Sequence, residues 1–266
     1  MRRKIGIIGF GNMGSAIAER IKDKYAVAVF DKDTKKTVGL SGIEAAVNIA
    51  DLVKSADAVI LAVKPQDFGN LLSEIRDFLE NKLIISIAAG ITTAYIEKKL
   101  DAARVIRTMP NLPAKIGKGM ICLCKGRLAD NKDLIFTEKL FTPLGKTLVL
   151  NEDMMDAATA VSGSGPAYVC EYLESGKSKQ AFLNDFRSAA KAIGFRPQEA
   201  ALLVNTTFSG TIAFLKKTKL LPLELKNQVA SKGGTTEAAL EVLHKGGPLS
   251  EAIKAALRRA KELSRR

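Results

Sequence analysis

The sequence predicts an α/β protein in which a doubly wound parallel sheet is followed by an all-helical domain. In the first half of the chain, apolar runs of strand length alternate with segments of helical spacing. Strands that alternate with helices imply parallel strands joined by right-handed crossovers. Beyond residue 150 only helical patterns remain. A chain of 266 residues favours two domains over one, and we place them at residues 1–150 and 151–266.

The elements of the first domain follow from the length and period of its apolar runs. Helical spacing is found at Met13–Ile21, Phe68–Leu79 and Thr92–Leu100, and a further helix is expected over Asp130–Phe141. Between them lie the predicted strands, of which the last two extend the sheet: Lys4–Ile8, Ala26–Phe30, Ala58–Val63, Leu83–Ala88, Ala103–Thr108, Lys118–Lys125 and Gly145–Leu150.

The second domain has no strand-like run and is predicted to be all α. Its helix around Glu199–Leu215 carries apolar residues on more than one face, so it needs cover on two sides. A second copy of the chain can supply that cover, so we expect a homodimer. The predicted helices are Asp153–Ala160, Ala181–Ala192, Pro197–Lys216, Thr235–Leu243 and Pro248–Leu263.

Composition places the chain among globular, water-soluble proteins. The hydrophobic fraction is 47% and the charged fraction 26%. No apolar run reaches the roughly 18 residues needed to cross a bilayer, and glycines interrupt the N-terminal apolar run, which argues against a secretory signal. Cys122 and Cys124 lie on one side of a predicted strand, a poor disulfide geometry. With no metal-ligand spacing either, we expect a cytoplasmic protein with no membrane partner and no metal.

The net charge of +13 favours anionic partners. However, the basic residues are scattered, and the one dense cluster lies at the C-terminus. We interpret that cluster as a solvated helix face and do not expect nucleic-acid binding. It comprises Arg258, Arg259, Lys261, Arg265 and Arg266.

A glycine-rich turn near the N-terminus predicts a Rossmann-type dinucleotide site. Gly9, Gly11 and Gly14 have the G-x-G-x-x-G spacing between a predicted strand and a predicted helix. Gly9 allows the tight turn, Gly11 lets the backbone approach a pyrophosphate, and Gly14 lets helix and strand pack closely. Free N–H groups at the helix start then face the phosphates. The predicted turn also includes Phe10, Asn12 and Met13.

Asp31 ends the next predicted strand, 22 residues after Gly9. An acidic residue there hydrogen-bonds the adenosine ribose and repels a 2′-phosphate, which favours NADH over NADPH. Lys32, Lys35 and Lys36 argue the other way, because they can screen a phosphate. The cofactor is therefore NADH or NADPH, with Asp31 favouring NADH.

Small residues and prolines follow three other predicted strands, in "LAVKPQ", "SIAAG" and "RTMPNLPA". In a doubly wound sheet the carboxyl ends of the strands line the ligand crevice. We therefore expect these segments at the cofactor edge, the last as a loop stiffened by two prolines. The remaining predicted cofactor residues are Asn48, Ala62, Val63, Lys64, Pro65, Ala88, Ala89 and Gly90.

The motifs "GFGNMG", "AVKPQ", "RTMPN", "SGSGPAYV" and "VASKGGTTEAAL" occur in this order along the whole chain. Together they resemble the pyrroline-5-carboxylate reductase family. The resemblance implies hydride transfer from NAD(P)H to the C=N bond of 1-pyrroline-5-carboxylate, which gives L-proline. It also implies an interlocked dimer of the helical domains and leaves a higher oligomer of dimers open. The cyclic imine can bind already protonated, or take its proton through a hydroxyl or water.

The loop Ser231–Thr236 is the candidate substrate site. A serine- and glycine-rich turn that enters a helix offers N–H donors and the positive end of a helix dipole to a carboxylate. The family resemblance assigns the carboxylate to Ser231, Gly233, Gly234 and Thr235, and the ring nitrogen to Thr236 as catalytic residue. It also implies a substrate contact from Glu152 and a cofactor contact from Gln228. The alternative is an ordinary capping loop ahead of a helix.

The chain departs from the family pattern at Gln228, where relatives can present asparagine, and at Lys232, where many have proline. About ten residues are also inserted around Cys170–Gln180, which can change packing or assembly. Other functions stay open: a related imine or keto reductase, or a reductase-like NAD(H)-binding regulatory protein. The intact "SKGGTT" argues against the regulatory protein.

Overall fold

The computed structural model describes residues 2–79, 82–101 and 103–265. Within these residues eight strands form one sheet, in the order β3-β2-β1-β4-β5-β6-β7-β8. The strands are β1 (Lys4–Ile8), β2 (Ala26–Phe30), β3 (Glu44–Ala45), β4 (Ala58–Leu61), β5 (Leu83–Ser86), β6 (Arg104–Pro110), β7 (Gly119–Lys125) and β8 (Gly145–Val149). The reversal of strand order about β1 is that of the predicted doubly wound sheet.

The strands from β1 to β6 pair in parallel, as predicted. Ile5 of β1 pairs with Val27 of β2 on one side and with Ala58 of β4 on the other. All four residues of β4 and all four of β5 are buried, which explains why both strands are continuous apolar runs. Around them lie α1 (Asn12–Ile21), α2 (Ile49–Ser55), α3 (Phe68–Ile75), α4 (Thr93–Leu100) and α5 (Asn131–Phe141).

Several boundaries differ from the prediction. The α-helical part of α3 ends at Ile75 and continues as a 3₁₀ turn, Arg76–Phe78. β6 runs through Pro110, so the first four residues of "RTMPNLPA" belong to a strand, and the expectation of a loop there is wrong. Proline is tolerated because Pro110 is the last residue of the strand. The short elements β3 and α2 were absent from the predicted set.

The helices of the C-terminal half are α6 (Met155–Ala158), α7 (Gly165–Glu174), α8 (Lys179–Ala192), α9 (Pro197–Thr218), α10 (Pro222–Val229), α11 (Thr235–His244) and α12 (Leu249–Ser264). A π-helical turn, Thr159–Gly163, separates α6 from α7. The predicted helices correspond to α6, α8, α9, α11 and α12. α7 and α10 were not predicted as helices. α10 has only eight residues, half of them polar, so its pattern is too short to stand out.

By their contacts the residues group into two compact units. The first unit comprises residues 1–108 and 123–144, and the second comprises 109–122 and 145–266. The boundary after residue 150 stays a prediction. The core of the first unit packs aliphatic side chains of α2, α3 and α4 against β4 and β5. In the second unit Tyr172 stacks on Phe182 with ring centroids 4.6 Å apart, and both rings contact Phe208.

The segment Cys170–Gln180, predicted to be an insertion, is mostly helical. It contains the last turn of α7, a short connection and the first two residues of α8. Ser178 caps α8 by accepting a hydrogen bond from the amide of Ala181. In the part of the chain that the structure describes, no helix combines the length and apolarity needed to span a bilayer.

Candidate active site

The glycine turn of the first unit has the geometry that the motif predicts. Gly9 has a φ of +98°, a left-handed value that glycine adopts without strain. A Cβ on Gly14 would collide with the carbonyl oxygen of Gly9, so this position needs glycine for α1 to pack on β1. In contrast, a Cβ on Gly11 would meet no atom within 4 Å. The backbone at Gly11 is therefore open to a ligand, as a pyrophosphate requires.

The carboxylate of Asp31 is hydrogen-bonded to the backbone of this turn. It accepts hydrogen bonds from the amide of Phe10 at 2.7 Å, the amide of Asp33 at 2.9 Å and Nζ of Lys36 at 3.1 Å. Burial raises the pKa of Asp31, but these bonds more than offset that effect and hold the pKa below its usual range. The group is therefore ionised near neutral pH.

A cavity of about 660 Å³ lies beside the turn, in the first unit. It brings together six of the predicted cofactor residues: Gly9, Gly11, Asp31, Ala62, Val63 and Lys64. It adds Lys32, Lys36 and Asp67, among others. Lys32 pairs with Asp67 at 3.5 Å, whereas Lys36 pairs with Asp31. The sequence showed these lysines but not which of them pairs with Asp31.

The other predicted cofactor residues of this unit lie outside the cavity lining. Asn48 caps α2, accepting from the amide of Asp51 at 2.8 Å and donating to its carboxylate. That gives Asn48 a structural role in this structure, and its cofactor contact stays a prediction. Cofactor contacts also stay predictions for Phe10, Asn12, Met13, Gly14, Pro65, Ala88, Ala89 and Gly90.

The substrate loop in the second unit uses some of its donors internally. The amide of Gly234 donates to the carbonyl of Ser231 at 2.8 Å, and the amide of Gly233 donates to the Glu237 carboxylate at 2.6 Å. Gly234 occupies the N-cap position of α11 without a side-chain cap. Amides in the first turn of an uncapped helix, here those of Thr235 and Thr236, are left for an anion. The carboxylate contacts predicted for Gly233 and Gly234 stay predictions.

A cluster of hydroxyl groups joins this loop to the start of α7. The Thr236 hydroxyl donates to Oγ of Ser164 at 3.0 Å, and Oγ1 of Thr235 lies 2.9 Å from the same oxygen. Ser164 is fully buried and Thr236 is 4% exposed. The "SGSGPAYV" motif also allows close helix packing, since a Cβ on Gly165 would lie 2.7 Å from the methyl group of Thr207 on α9.

Arg259 of α12 holds the loop from the other side. Its Nε donates to the carbonyl of Gly233 at 2.7 Å, and its Nη1 pairs with Glu262 at 2.8 Å. The expectation that the C-terminal basic cluster is a solvated face is therefore wrong for Arg259. Spacing alone gave no signal for this contact, because it joins residues 26 positions apart. Arg266 of the cluster lies outside the described residues.

A second ionic cluster ties α10 to α7. Lys226 is 8% exposed and donates to Glu171 and Glu174, each at 2.7 Å. Nε2 of His244, in the last turn of α11, lies 3.3 Å from Glu171. Burial lowers the pKa of Lys226, but the two carboxylates more than offset it and raise that pKa above its usual value. Glu171 and Glu174 lie in the segment Cys170–Gln180, whose insertion relative to the family stays a prediction.

Three further motif residues lie in the second unit. Glu152 begins a 3₁₀ turn, Glu152–Met154, and Gln228 is exposed near the end of α10. Their substrate and cofactor contacts stay predictions. Asn111 of "RTMPN" is 2% exposed, accepts from the amide of Met120 at 2.9 Å and donates to the carbonyl of Ser162 at 3.2 Å. This fixes local structure.

Two family models match the chain. One, described as pyrroline-5-carboxylate reductase dimerisation, matches residues 152–266. The other, described as NADP oxidoreductase coenzyme F420-dependent, matches residues 4–90. These spans agree with a cofactor site at the front of the chain and the helical region behind it.

Full-length relatives and solved structures agree with the family models. A pyrroline-5-carboxylate reductase from Arabidopsis thaliana is 34% identical, over 98% of this chain and 95% of the relative. The structure of such a reductase from Coxiella burnetii superposes with a TM-score of 0.67 at 30% identity, covering 99% of both chains. The NADP-bound pyrroline carboxylate reductase of Plasmodium falciparum gives 0.65 at 27% identity, covering 98% of both chains.

Proposed function

The chain belongs to the pyrroline-5-carboxylate reductase family, and we propose that it reduces the C=N bond of 1-pyrroline-5-carboxylate to L-proline with NAD(P)H. The observation that carries this proposal is the 34% identity to a named reductase over 98% of the chain. The complete "SKGGTT" loop supports it, because a protein that only bound the cofactor would have no need of a substrate loop.

The glycine turn fits a nicotinamide dinucleotide. The open backbone at Gly11 suits a pyrophosphate, and the ionised Asp31 suits ribose hydroxyls. The bound nicotinamide supplies the hydride. The protein contributes mainly orientation, because adding hydride to an iminium removes charge and needs no strong acid.

The loop at the start of α11 is proposed to bind the substrate. The uncapped amides of Thr235 and Thr236, with the exposed Ser231, suit the substrate carboxylate. Thr236 is proposed to meet the ring nitrogen, since its hydroxyl belongs to the same helix start. Glu152 and Gln228 complete the proposed site, the first for substrate and the second for cofactor.

NADH is the proposed preferred cofactor. An ionised carboxylate at the ribose repels a 2′-phosphate, and backbone amides fix the Asp31 carboxylate in place. Lys36 weakens this preference because its ammonium group lies 3.1 Å from the same carboxylate.

The proposed location is the cytoplasm, and the proposed assembly is a homodimer formed through residues 152–266. The three cysteines are free and buried, and burial raises the pKa of Cys122 to about 12. Such thiols fit a reducing compartment. The match to a dimerisation family over residues 152–266 supports the dimer.

Incubation of the purified protein with the cyclic imine and each nicotinamide in turn, followed by measurement of proline, tests the activity. Proline formation is expected with both cofactors. Tight NADH binding without proline at any cofactor concentration would favour a regulatory protein instead. Turnover of other cyclic imines or keto acids, without proline formation, would favour a related reductase.

Thr236→Ala tests the assignment of the ring nitrogen. Loss of a hydrogen bond to a charged or charge-developing group costs roughly 1.5–3 kcal/mol, so kcat/KM should fall about ten- to hundredfold. The Kd for NADH, measured by fluorescence of the cofactor, should stay nearly constant. Unaltered turnover would refute this role for Thr236.

A further inference from the structure

We propose that Ser164 is a positioning residue that turns the Thr236 hydroxyl into a hydrogen-bond acceptor, so that the site selects the N-protonated iminium form of its substrate. This inference rests on the proposed function, and it deepens it by naming the protonation state that the site recognises.

The hydroxyl groups around Ser164 form a hydrogen-bonded cluster in which Thr236 is a donor. Thr236 donates its proton to Oγ of Ser164 at 3.0 Å. Ser164 is also hydrogen-bonded to Tyr168, whose own hydroxyl donates to the carbonyl of Ala160 at 3.0 Å. Oγ1 of Thr235 lies 2.9 Å from Oγ of Ser164, and either of these two oxygens can be the donor. The proton of Thr236 is therefore engaged by Ser164. A hydroxyl has one proton and two acceptor lone pairs, so the Thr236 oxygen is left to accept.

The position of Ser164 shows that its hydroxyl serves the loop rather than its own helix. Ser164 occupies the N-cap position of α7, where serine ordinarily caps through its side chain, yet it makes no such cap. The π-helical turn Thr159–Gly163 precedes it, and the Ser164 amide donates to the carbonyl of Thr159, five residues back. The extra residue of a π turn re-aims the side chains after it, and such turns are frequent at functional sites.

Tyr168 belongs to the same hydrogen-bonded cluster. Burial raises the pKa of Tyr168, and the hydrogen bond from Ser164 lowers it by less. The phenol therefore stays neutral and donates its proton in a hydrogen bond to the carbonyl oxygen of Ala160. Its oxygen remains available to accept from Ser164, and its own proton is not passed on to Ser164 or Thr236.

An acceptor at Thr236 pairs with an N–H group but not with a bare imine nitrogen. The N-protonated iminium carries that N–H and is also the stronger electrophile. Hydride addition to its ring carbon forms one C–H bond and moves the C=N π electrons onto nitrogen. The product is a neutral secondary amine, so this step needs no proton from the protein.

The test compares Ser164→Ala with Ser162→Ala, a matched control. Both serines are fully buried, but Ser162 donates to the carbonyl of Ala158 instead. The measurement is kcat/KM for the cyclic imine against pH. Wild type and Ser162→Ala should lose efficiency as pH rises through the pKa of the free iminium.

Ser164→Ala should be about tenfold less efficient than wild type below that pKa, because the Thr236 hydroxyl is no longer held with its oxygen free for the iminium N–H, and up to one hydrogen bond to a charged group is lost. At about two pH units above the pKa of the free iminium, the difference in kcat/KM between wild type and Ser164→Ala should narrow to about threefold or less. The reason is that the freed Thr236 hydroxyl can then donate to the neutral imine. A Ser164→Ala profile parallel to that of wild type would overturn the proposal.

Other titratable groups near the loop do not produce this difference. The elements packed against α11 carry Glu171 and Glu174 on α7, and Arg258, Arg259 and Glu262 on α12, while α11 itself carries Glu237, Glu241 and His244. Lys232 lies in the loop. All of these are present in wild type and in both variants, so their titration cancels in the comparison.

Calorimetry with tetrahydrofuran-2-carboxylate gives a reading that does not depend on turnover. Its ring oxygen can only accept, so Ser164→Ala should bind it at least about threefold more tightly than wild type and Ser162→Ala do. Equal affinities would contradict the proposal. If Ser164→Ala does not melt cooperatively, Tyr168→Phe takes its place, since that substitution removes the hydroxyl that holds Ser164 from the side away from Thr236.

For Tyr168→Phe, the difference in kcat/KM from wild type should also narrow at high pH. A profile of kcat/KM against pH that is parallel to that of wild type would overturn the proposal. The proposed reductase function and the role of Ser164 can fail separately. If wild type forms no proline, the proposed function fails. If wild type forms proline while the Ser164→Ala profile and analogue affinity are unshifted, only the role of Ser164 fails.

Discussion

At the residue scale, Asp31 and Lys36 have opposite effects on the choice between NADH and NADPH. The carboxylate is 9% exposed and is fixed by two backbone amides. The lysine side chain is nearly half exposed. An ordered charge acts more strongly than a mobile, hydrated one, so the carboxylate should decide the choice of cofactor and the lysine should moderate it.

Asp31→Ser should therefore shift the ratio of kcat/KM for NADH to that for NADPH toward NADPH by about ten- to hundredfold, the effect of a charged hydrogen bond. Lys36→Ala should shift the same ratio toward NADH by about two- to fivefold, as expected for an exposed charge. Steady-state kinetics with both cofactors measures both. A wild-type preference for NADPH of about tenfold or more would show that the lysines dominate.

At the scale of single elements, α1 needs glycine at two positions for different reasons. Gly14→Ala should lower the free energy of unfolding by about 1–3 kcal/mol, because its Cβ collides with the Gly9 carbonyl. Gly11→Ala should fold normally, since its Cβ meets open space. It should nevertheless weaken cofactor binding by at least about tenfold by occupying the approach to the pyrophosphate.

Thermal melting and cofactor titration of these two variants separate the two requirements. Equal melting temperatures for Gly14→Ala and wild type would contradict the packing role. Unweakened NADH binding by Gly11→Ala would contradict the position assigned to the pyrophosphate.

α12 fixes the substrate loop through Arg259. Arg259→Gln should raise KM for the cyclic imine by about tenfold, because a charge-assisted bond to the Gly233 carbonyl is lost. KM for NADH should not change. Arg258→Gln, on the exposed side of the same helix, is the matched control and should behave as wild type. Equal effects of both substitutions would show a general charge effect instead.

At the scale of the whole molecule, the second unit leaves apolar surface uncovered. Leu221 is 66% and Leu223 is 60% exposed. Ile212 and Leu215, on the long helix α9, are only partly buried. A large, mostly apolar interface between two copies would cover such residues, in agreement with the dimerisation family that matches residues 152–266.

Light scattering at low micromolar concentration should therefore give twice the mass of one 28.6 kDa chain, or a multiple of that dimer. Leu221→Ser with Leu223→Ser, two exposed positions whose substitution leaves the protomer core intact, would show whether this surface contributes. An active species with the mass of one chain would rule out the dimer. In that case the segment Cys170–Gln180, the predicted insertion, would be the first to examine.

Much of the fold could be predicted because its signals are local. Strands such as β1 and β2 were predicted to the residue, since apolar runs bounded by glycine and charge leave little freedom in where a buried strand starts and ends. Short elements were missed. β3 has two residues and α10 has eight, too few for a periodic pattern to stand out, and their tertiary partners stabilise them.

The sequence by itself determined the fold class, the glycine turn with Asp31 at the next strand end, and the loop at the start of α11. Each depends on a few consecutive residues and their backbone requirements. Tertiary structure alone decided that Ser164 meets Thr236, 72 positions away, and that Arg259 holds Gly233. The physical reason is that these hydrogen bonds form only when donor and acceptor are placed to within a few tenths of an ångström, and helix packing sets that placement whereas sequence spacing does not.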